Sequence, residues 1–168
     1  MTQIFFYPGH NIRNTRQDAM KDEFDPLKLE NQLCFPLYAC AKEVVRRYKP
    51  MLDKLDLTYT QYIAMMVLWS QKKLNVKELG DCLYLDSGTL TPVLKKLESK
   101  GYITRERSEK DERNLIVTIT EDGEALKTKA VCIPAEMSAC VRLSPGEAKT
   151  LYELLYKLLG NMEDDSGQ

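Results

Sequence analysis

A cysteine in an apolar stretch has the most distinctive chemistry in this sequence. Cys34 lies in the run LENQLCFPLY, one helical turn before Tyr38. Two more tyrosines, Tyr48 and Tyr59, come later in the chain. Phenol groups that donate hydrogen bonds to a thiolate favour its charged form, and attack of a thiolate on a hydroperoxide gives a sulfenic acid. The alternative is an inert thiol, because free cysteine packs readily as a small hydrophobic residue.

The overall composition argues against several other kinds of site. The five cysteines, an odd number, occur with one histidine, His10, and without a CxxC pair, so we expect no disulfide framework, no metal site and no cofactor. No apolar run is long enough to span a bilayer, and no secretion signal is evident. We therefore expect a cytoplasmic protein with reduced thiols. Cys40 and Cys82 lie on apolar helix faces, where we expect them to pack.

The segment from Leu85 to Thr120 predicts a helix and then a charged hairpin. A helical apolar repeat ends at Gly101, and two β-rich runs come next, joined by the charged turn from Ser108 to Arg113. This turn has no glycine for a tight connection, so we expect a projecting hairpin. Helix, stop and projecting hairpin are typical of a winged helix. In that fold the helix enters the major groove of DNA and the hairpin reaches the neighbouring minor groove.

Short polar motifs mark where the helices of this core begin. Thr58–Gln61 is a capping box, and Asn75–Glu78 is a second cap-like start. Asp86 or Ser87 caps the next helix. Pro92 lies beyond the first turn of that helix, so we expect its early part to be irregular.

The outer helices carry wide apolar stripes. A helical run from Leu27 to Tyr48 contains Pro36, which should bend it. A start at Thr120 predicts one long helix towards Pro134 and beyond, and the motif SPGE at 144–147 opens the last helix. The simplest use for these stripes is packing against a second copy of the chain, and the alternative is a monomer whose terminal helices cover its own core.

These patterns predict a mainly α protein with a small β-hairpin wing, a winged helix-turn-helix that dimerises through its N- and C-terminal helices. Residues 1–25 form an N-terminal extension, disordered or partly helical. Residues 26–168 form one domain, with the winged-helix core at 58–120 and dimerisation helices at 27–49 and 121–162.

Three sequence runs carry a resemblance to a known family. LTYTQYIAMMVLW, LDSGTLTPVLKKLESKGYI and RSEKDERNLIVTIT, together with the run around Cys34, resemble the MarR family of winged-helix repressors. Within it, the chain looks like the organic-hydroperoxide-sensing branch, from about Phe24 to the C-terminus. The resemblance implies that Cys34 is the peroxide-reactive residue, that Tyr48 and Tyr59 hold it, and that Tyr38 is a further pocket tyrosine.

The resemblance also implies how the oxidised cysteine is resolved. In relatives with a resolving cysteine, that thiol lies in the opposite subunit, and Cys140 is the first candidate here and Cys132 the second. If neither cysteine reaches Cys34, a low-molecular-weight thiol forms the mixed disulfide with it instead.

Cys34 and Tyr48 are fourteen residues apart on one helix, which places them roughly 21 Å apart. A hydrogen bond between them must therefore cross a dimer interface.

The predicted recognition helix and wing supply the DNA-contacting residues. Short hydroxyl side chains suit phosphates and base edges, lysines suit phosphates, and the resemblance assigns the wing arginine to the minor groove and the wing aspartate to its orientation. Val93 and Leu94 should face the core. The expected contacts are Ser87, Thr89, Thr91, Lys95, Lys96, Asp111 and Arg113.

The expected function is a redox-sensing transcriptional repressor, not an enzyme. Two recognition helices about one turn of DNA apart, roughly 34 Å, match an inverted-repeat operator. Oxidation of Cys34 by an organic hydroperoxide would release the dimer from this operator. One alternative is a MarR-type repressor released by a phenolic or drug-like ligand at the dimer interface. Another is a thiol peroxidase, although the chain lacks a thioredoxin-like βαβ pattern and has no Thr or Arg beside Cys34 in a peroxidase-like motif.

Overall fold

The computed structural model describes residues 25–108 and 114–165, with side chains as far as residue 162. The chain divides into two compact units between Arg46 and Arg47. Helices dominate and a small antiparallel sheet accompanies them, as predicted. In chain order the elements are α1 (Cys34–Leu52), α2 (Tyr59–Gln71), β1 (Lys73–Asn75), α3 (Val76–Leu83), α4 (Ser87–Ser99), β2 (Ile103–Arg107), β3 (Leu115–Ile119), α5 (Glu121–Ala130), α6 (Ile133–Val141) and α7 (Pro145–Asp165).

Helix α1 begins later than its apolar repeat predicts. A short 3-10 turn at Leu29–Asn31 precedes it, and α1 starts at Cys34. Pro36 is therefore the third residue of the helix, where a backbone N–H has no intrahelical partner to lose. The bend predicted at Pro36 is wrong for this reason, since it assumed a helix already formed at Leu27. The helix then runs unbroken to Leu52.

Both capping boxes of the core are confirmed, and they fix where α2 and α3 begin. Gln61 N donates to Thr58 Oγ1 at 3.3 Å, and Thr58 N donates to Gln61 Oε1 at 3.0 Å. The second box has the same reciprocal pair, with Glu78 N donating to Asn75 Oδ1 at 2.8 Å and Asn75 N to Glu78 Oε2 at 2.9 Å. Each box satisfies two backbone donors that a helix start leaves unpaired.

Helix α4 is capped by Asp86, whose Oδ1 accepts from Thr89 N at 2.9 Å. The helix is regular from Ser87 to Ser99 with Pro92 inside it, so the irregular early part predicted from Pro92 is not found. Its inner face is fully buried at three leucines one turn apart, while Val93 is only half-buried. These leucines are Leu90, Leu94 and Leu97.

The sheet consists of the predicted hairpin and one strand that the sequence did not reveal. Strands β2 and β3 pair antiparallel, from Ile103 opposite Ile119 to Arg107 opposite Leu115. The additional strand β1 pairs with the other edge of β3, which gives the order β1–β3–β2. Since β1 is three residues long, it carries too short an alternation to be recognised.

The core of the second unit lies between α2, α3, α4 and the sheet. Trp69 joins α5 to this core, because its Nε1 donates to the carbonyl of Gly123 at 2.8 Å. The hydrophobic side chains with no more than 1% of their surface exposed include Leu52, Ala64, Met65, Leu68, Leu79, Leu90, Leu94, Leu97, Ile103 and Val117.

The long helix predicted from Thr120 is two helices. Thr120 caps α5 as predicted, accepting from Gly123 N at 3.1 Å, but α5 ends at Ala130 and α6 begins at Ile133. Pro134 explains the break, because it has no N–H to donate to the carbonyl of Ala130 and its ring would collide with that carbonyl in a continuous helix. It stands instead in the first turn of α6, a position that tolerates proline.

Helix α7 begins at its predicted cap and has no buried side chain up to Met162. Ser144 N donates to Glu147 Oε2 at 2.9 Å, and Glu147 N donates to Ser144 Oγ at 3.4 Å. Much of its apolar stripe is exposed, with Leu151 at 46% and Leu154 at 57%. Of the helices in the described ranges, none combines the length and apolarity needed to cross a bilayer.

Candidate functional site

Cys34 is the first residue of α1, and its side chain is exposed. Tyr38 is four residues on, which places it on the same helix face, and 63% of its surface is exposed. Phe35 and Leu37 are partly exposed beside them, at 41% and 38%. The first unit therefore presents the predicted reactive thiol at an exposed helix start, with partly open apolar side chains beside it.

Two of the predicted pocket tyrosines come together in the second unit. The rings of Tyr48 and Tyr59 lie 4.9 Å apart, centroid to centroid, and both side chains are half-buried. Burial raises the pKa of both phenols, and for Tyr48 the charge of Tyr59 adds to the rise. Both groups therefore remain protonated hydrogen-bond donors to higher pH than an exposed tyrosine does.

Tyr62 is a third member of this cluster, and sequence reasoning missed it. Its ring lies 5.9 Å from that of Tyr48 and meets Trp69 edge-on at 6.1 Å. Burial raises the pKa of Tyr62, and smaller contributions come from Tyr48, Tyr59 and Cys132. The signal that could have found it is its position three residues after Tyr59, on the same face of α2.

The two candidate resolving thiols differ in their surroundings. Cys132 immediately precedes α6 and is exposed, and it makes a minor contribution to the raised pKa of Tyr62. Cys140 is also exposed and lies near the end of α6. Helix α6 rises about 1.5 Å per residue, so eight residues separate the two thiols by roughly 12 Å.

Cys40 and Cys82 are exposed as well, so the prediction that they pack on apolar helix faces is wrong for the single chain. Cys82 lies on the outer side of α3 and accepts a weak hydrogen bond from Gln71 Nε2 at 3.8 Å. Apolar spacing alone cannot tell which side of a short helix faces inward, since α3 has only eight residues. In the described ranges, no group of three His, Cys, Asp or Glu residues is arranged to hold a metal ion.

The outer face of α4 carries the predicted DNA-contacting residues, and all of them are exposed. They are Ser87, Thr89, Thr91, Lys95 and Lys96. Asp111 and Arg113 lie outside the described residues, so their assignment stays a prediction.

An ion pair joins the end of α4 to the wing. Arg105 on β2 donates to Glu98 Oε2 from Nε at 3.0 Å and from Nη2 at 2.5 Å. The arginine side chain is 16% exposed and the glutamate 37%. The hydrogen bonds from Arg105 hold the pKa of Glu98 below its usual value. The pair fixes the root of the hairpin against the recognition helix.

Comparison with known proteins identifies the family. The family of transcriptional regulators SarA/Rot matches residues 46–130. An organic hydroperoxide resistance transcriptional regulator of Bacillus subtilis is 53% identical over 140 residues, which cover 83% of this chain and 95% of the relative.

Solved structures agree with this relationship. Reduced AbfR bound to DNA is 34% identical, with a TM-score of 0.68 over 80% of this chain and 94% of that one, and AbfR comes from Staphylococcus epidermidis. A MarR mutant from E. coli complexed with operator DNA is 26% identical, with a TM-score of 0.69 over 76% and 93% of the two chains. The chain thus belongs to the MarR family of winged-helix transcriptional regulators, in the organic hydroperoxide resistance branch.

Proposed function

We propose that this protein is a transcriptional repressor that binds an inverted-repeat operator as a homodimer and leaves it when an organic hydroperoxide oxidises Cys34. The 53% identical relative is named for organic hydroperoxide resistance. AbfR, a more distant relative, has been solved on DNA in reduced and overoxidized forms and separately in a disulfide-formed state. These relationships support both a DNA-binding function and a cysteine-based signal.

The DNA-binding part of the proposal places α4 in the major groove. Its exposed hydroxyl and lysine side chains face outward while its leucines are buried, as a recognition helix requires. Apolar side chains exposed on α1 and α7, such as Val45 and Leu154, support burial against a second copy. A dimer with two-fold symmetry would present two such helices to two half-sites.

The observation that carries the sensing part is the unbroken helix between Cys34 and Tyr48. Fourteen residues at about 1.5 Å each separate the two by roughly 21 Å, so one chain cannot join them by a hydrogen bond. Tyr48 and Tyr59 lie side by side as protonated phenols. The proposed site therefore consists of Cys34 from one subunit and the Tyr48–Tyr59 pair from its partner.

Oxidation would break this arrangement chemically. The thiolate attacks one peroxide oxygen, the O–O bond breaks, and the products are a sulfenic acid and an alkoxide that takes a proton to become an alcohol. The sulfenic acid adds an oxygen where the phenols held a sulfur. A second thiol then displaces that oxygen as water and forms a disulfide. Tyr48 lies near the C-terminal end of α1 and Tyr59 at the start of α2. Movement of these two side chains would be transmitted to the DNA-binding core.

The partner thiol is Cys132, Cys140 or a low-molecular-weight thiol. The family resemblance makes Cys140 the first candidate and Cys132 the second, and both thiols are exposed. Non-reducing electrophoresis of Cys132→Ser and Cys140→Ser after peroxide treatment distinguishes them, because only loss of the resolving thiol abolishes the cross-linked dimer.

The decisive experiment is operator binding by Cys34→Ser before and after cumene hydroperoxide, with mass spectrometry of the same samples. We expect unchanged affinity before treatment and no release afterwards. Cys82→Ser is the matched control, since it removes an exposed thiol from the DNA-binding core and should still be released. Release of Cys34→Ser by the peroxide would overturn the proposal. Release by a phenolic ligand alone, or turnover of peroxide with a thiol reductant, would favour the two alternative functions.

A further inference from the structure

The recognition helix has two threonines whose hydroxyl protons are already used within the protein. Thr89 Oγ1 donates to Asp86 Oδ2 at 2.8 Å, and Thr91 Oγ1 donates to the carbonyl oxygen of Ser87 at 2.6 Å. A hydroxyl has one proton to donate and two lone pairs that accept. Both threonines therefore offer DNA a methyl group and an acceptor, and no donor.

The centre of the outer face of α4 also offers few hydrogen-bond donors. At 100° per residue, Gly88 and Pro92 stand opposite the buried Leu90 and Leu94, and both are exposed. Pro92 has no N–H, so it presents an apolar ring and gives no backbone hydrogen bond to the carbonyl of Gly88. A proline inside a helix is unfavourable relative to alanine, and such local violations concentrate at functional sites.

We propose that the first half of α4 reads A·T base pairs in the major groove, through methyl contacts and acceptor oxygens. This inference rests on the proposed function, in which α4 enters that groove. In the major groove an A·T pair presents one amino donor, two acceptors and the thymine methyl group, whereas a G·C pair presents one amino donor and two acceptors in a different order and no methyl group. A methyl beside an acceptor complements the first combination.

The same chemistry assigns phosphate binding to other residues. Phosphate oxygens only accept hydrogen bonds, so Thr89 and Thr91 cannot bind them without giving up their internal bonds. Within the part of the chain that the structure describes, no hydrogen bond uses the Ser87 hydroxyl as a donor. Ser87, Lys95 and Lys96 are therefore the phosphate contacts of α4, and Asp86 is a positioning residue that keeps the Thr89 lone pairs directed outward.

The test uses the full-length reduced protein and the duplex that it selects from random-sequence DNA. Each thymine is replaced by uracil, which lacks the methyl group, and each adenine by purine, which lacks the 6-amino group. Under the proposal, wild type loses affinity on the order of tenfold at the positions that α4 contacts. Thr89→Ser keeps the hydroxyl and should lose only the uracil effect at its position. Thr89→Val keeps a methyl and should lose only the purine effect.

Ser87→Ala is the matched control, because it should weaken binding to every duplex alike, and Lys95→Ala, which removes a positive charge, should in addition lower the dependence of affinity on salt. Thermal unfolding of each variant checks that it folds. The proposal is overturned if Thr89→Val behaves like Ser87→Ala, or if neither substituted base changes affinity under α4. Selection of no duplex at all, or of one that Ser87→Ala and Lys95→Ala bind as well as wild type, would instead refute α4 as the DNA-binding helix.

Discussion

The rings of Tyr48 and Tyr59 lie 4.9 Å apart with their planes tilted by 54°, which joins the end of α1 to the start of α2. The contact connects the helix that begins at Cys34 with the first helix of the winged-helix core. Both phenols are half-buried and have raised pKa values because of that burial. The contact therefore places the Tyr48 ring against the first residue of α2.

The first prediction concerns the rate of sensing. Under the proposed function, Tyr48→Phe and Tyr59→Phe would each remove one hydrogen bond to the partner subunit's thiolate, and a hydrogen bond to a charged group is worth about 1.5–3 kcal/mol. We expect oxidation of Cys34 by cumene hydroperoxide to slow by roughly tenfold or more, measured by stopped-flow loss of the thiol, while reduced protein binds operator as before. Tyr152→Phe, on the exposed face of α7, serves as control. If Cys34 is oxidised at the same rate in all three variants, neither Tyr48 nor Tyr59 belongs to the sensing site.

The second prediction concerns alkaline pH. The unfolded chain releases tyrosine protons near the usual pKa of 10.0, whereas folded Tyr48 and Tyr59 retain theirs to higher pH. The folded state then binds more protons than the unfolded state, so the free energy of unfolding falls as pH rises above about 10. Urea unfolding between pH 9 and 11 should show a shallower decline in Tyr48→Phe than in wild type. Parallel declines would contradict the burial of this phenol.

Local signals in the sequence predicted most of the fold. The capping boxes at Thr58 and Asn75 were recognisable because all their hydrogen-bonding groups lie within four residues. The hairpin was predicted from local signals too, and so was the α4 cap, which the sequence placed at Asp86 or Ser87 and the structure places at Asp86. What could not be predicted depends on distant partners, such as the pairing of β1 with β3.

The candidate site shows the same limit. Nothing in the spacing of Tyr62 and Tyr48 associates the two residues, because their contact depends on how α1 packs against α2. The spacing around Cys82 indicated an apolar face, yet the side chain is exposed because α3 is short and half-buried. Pro36 and Pro134 were misjudged for one reason, since the effect of a proline depends on where its helix begins.

The third prediction concerns the ion pair between α4 and the wing. Arg105 lowers the pKa of Glu98 from its usual 4.5, so the pair stabilises the fold above that pH and its contribution is lost as pH falls through the lowered value. Glu98→Gln should lower the melting temperature most at pH 7, with the difference from wild type shrinking towards pH 4. Glu153→Gln removes an exposed pair with Lys149 at 3.8 Å and should have little effect. A constant difference across pH would mean that the charge of Glu98 contributes nothing.

The last prediction concerns the junction of α2 with α5. Gly123 accepts the Trp69 hydrogen bond, and a Cβ at Gly123 would lie 2.2 Å from the carbonyl oxygen of Tyr102. That oxygen belongs to the backbone and cannot move aside alone, so Gly123→Ala must displace α5 or the start of β2. We expect a loss of about 1–3 kcal/mol or more in the free energy of unfolding.

Two further variants separate this clash from the hydrogen bond and from a general effect of glycine. Trp69→Phe removes the indole hydrogen bond and should cost about 0.5–1.5 kcal/mol by that loss, together with the missing ring volume, because the Gly123 carbonyl keeps its bond within α5. Gly146→Ala is the matched control, because nothing lies within 4 Å of its added Cβ and alanine favours the first turn of α7. Urea unfolding should find it as stable as wild type or slightly more so. If Gly123→Ala matched Gly146→Ala instead, α5 could not pack against Tyr102 as closely as the structure requires.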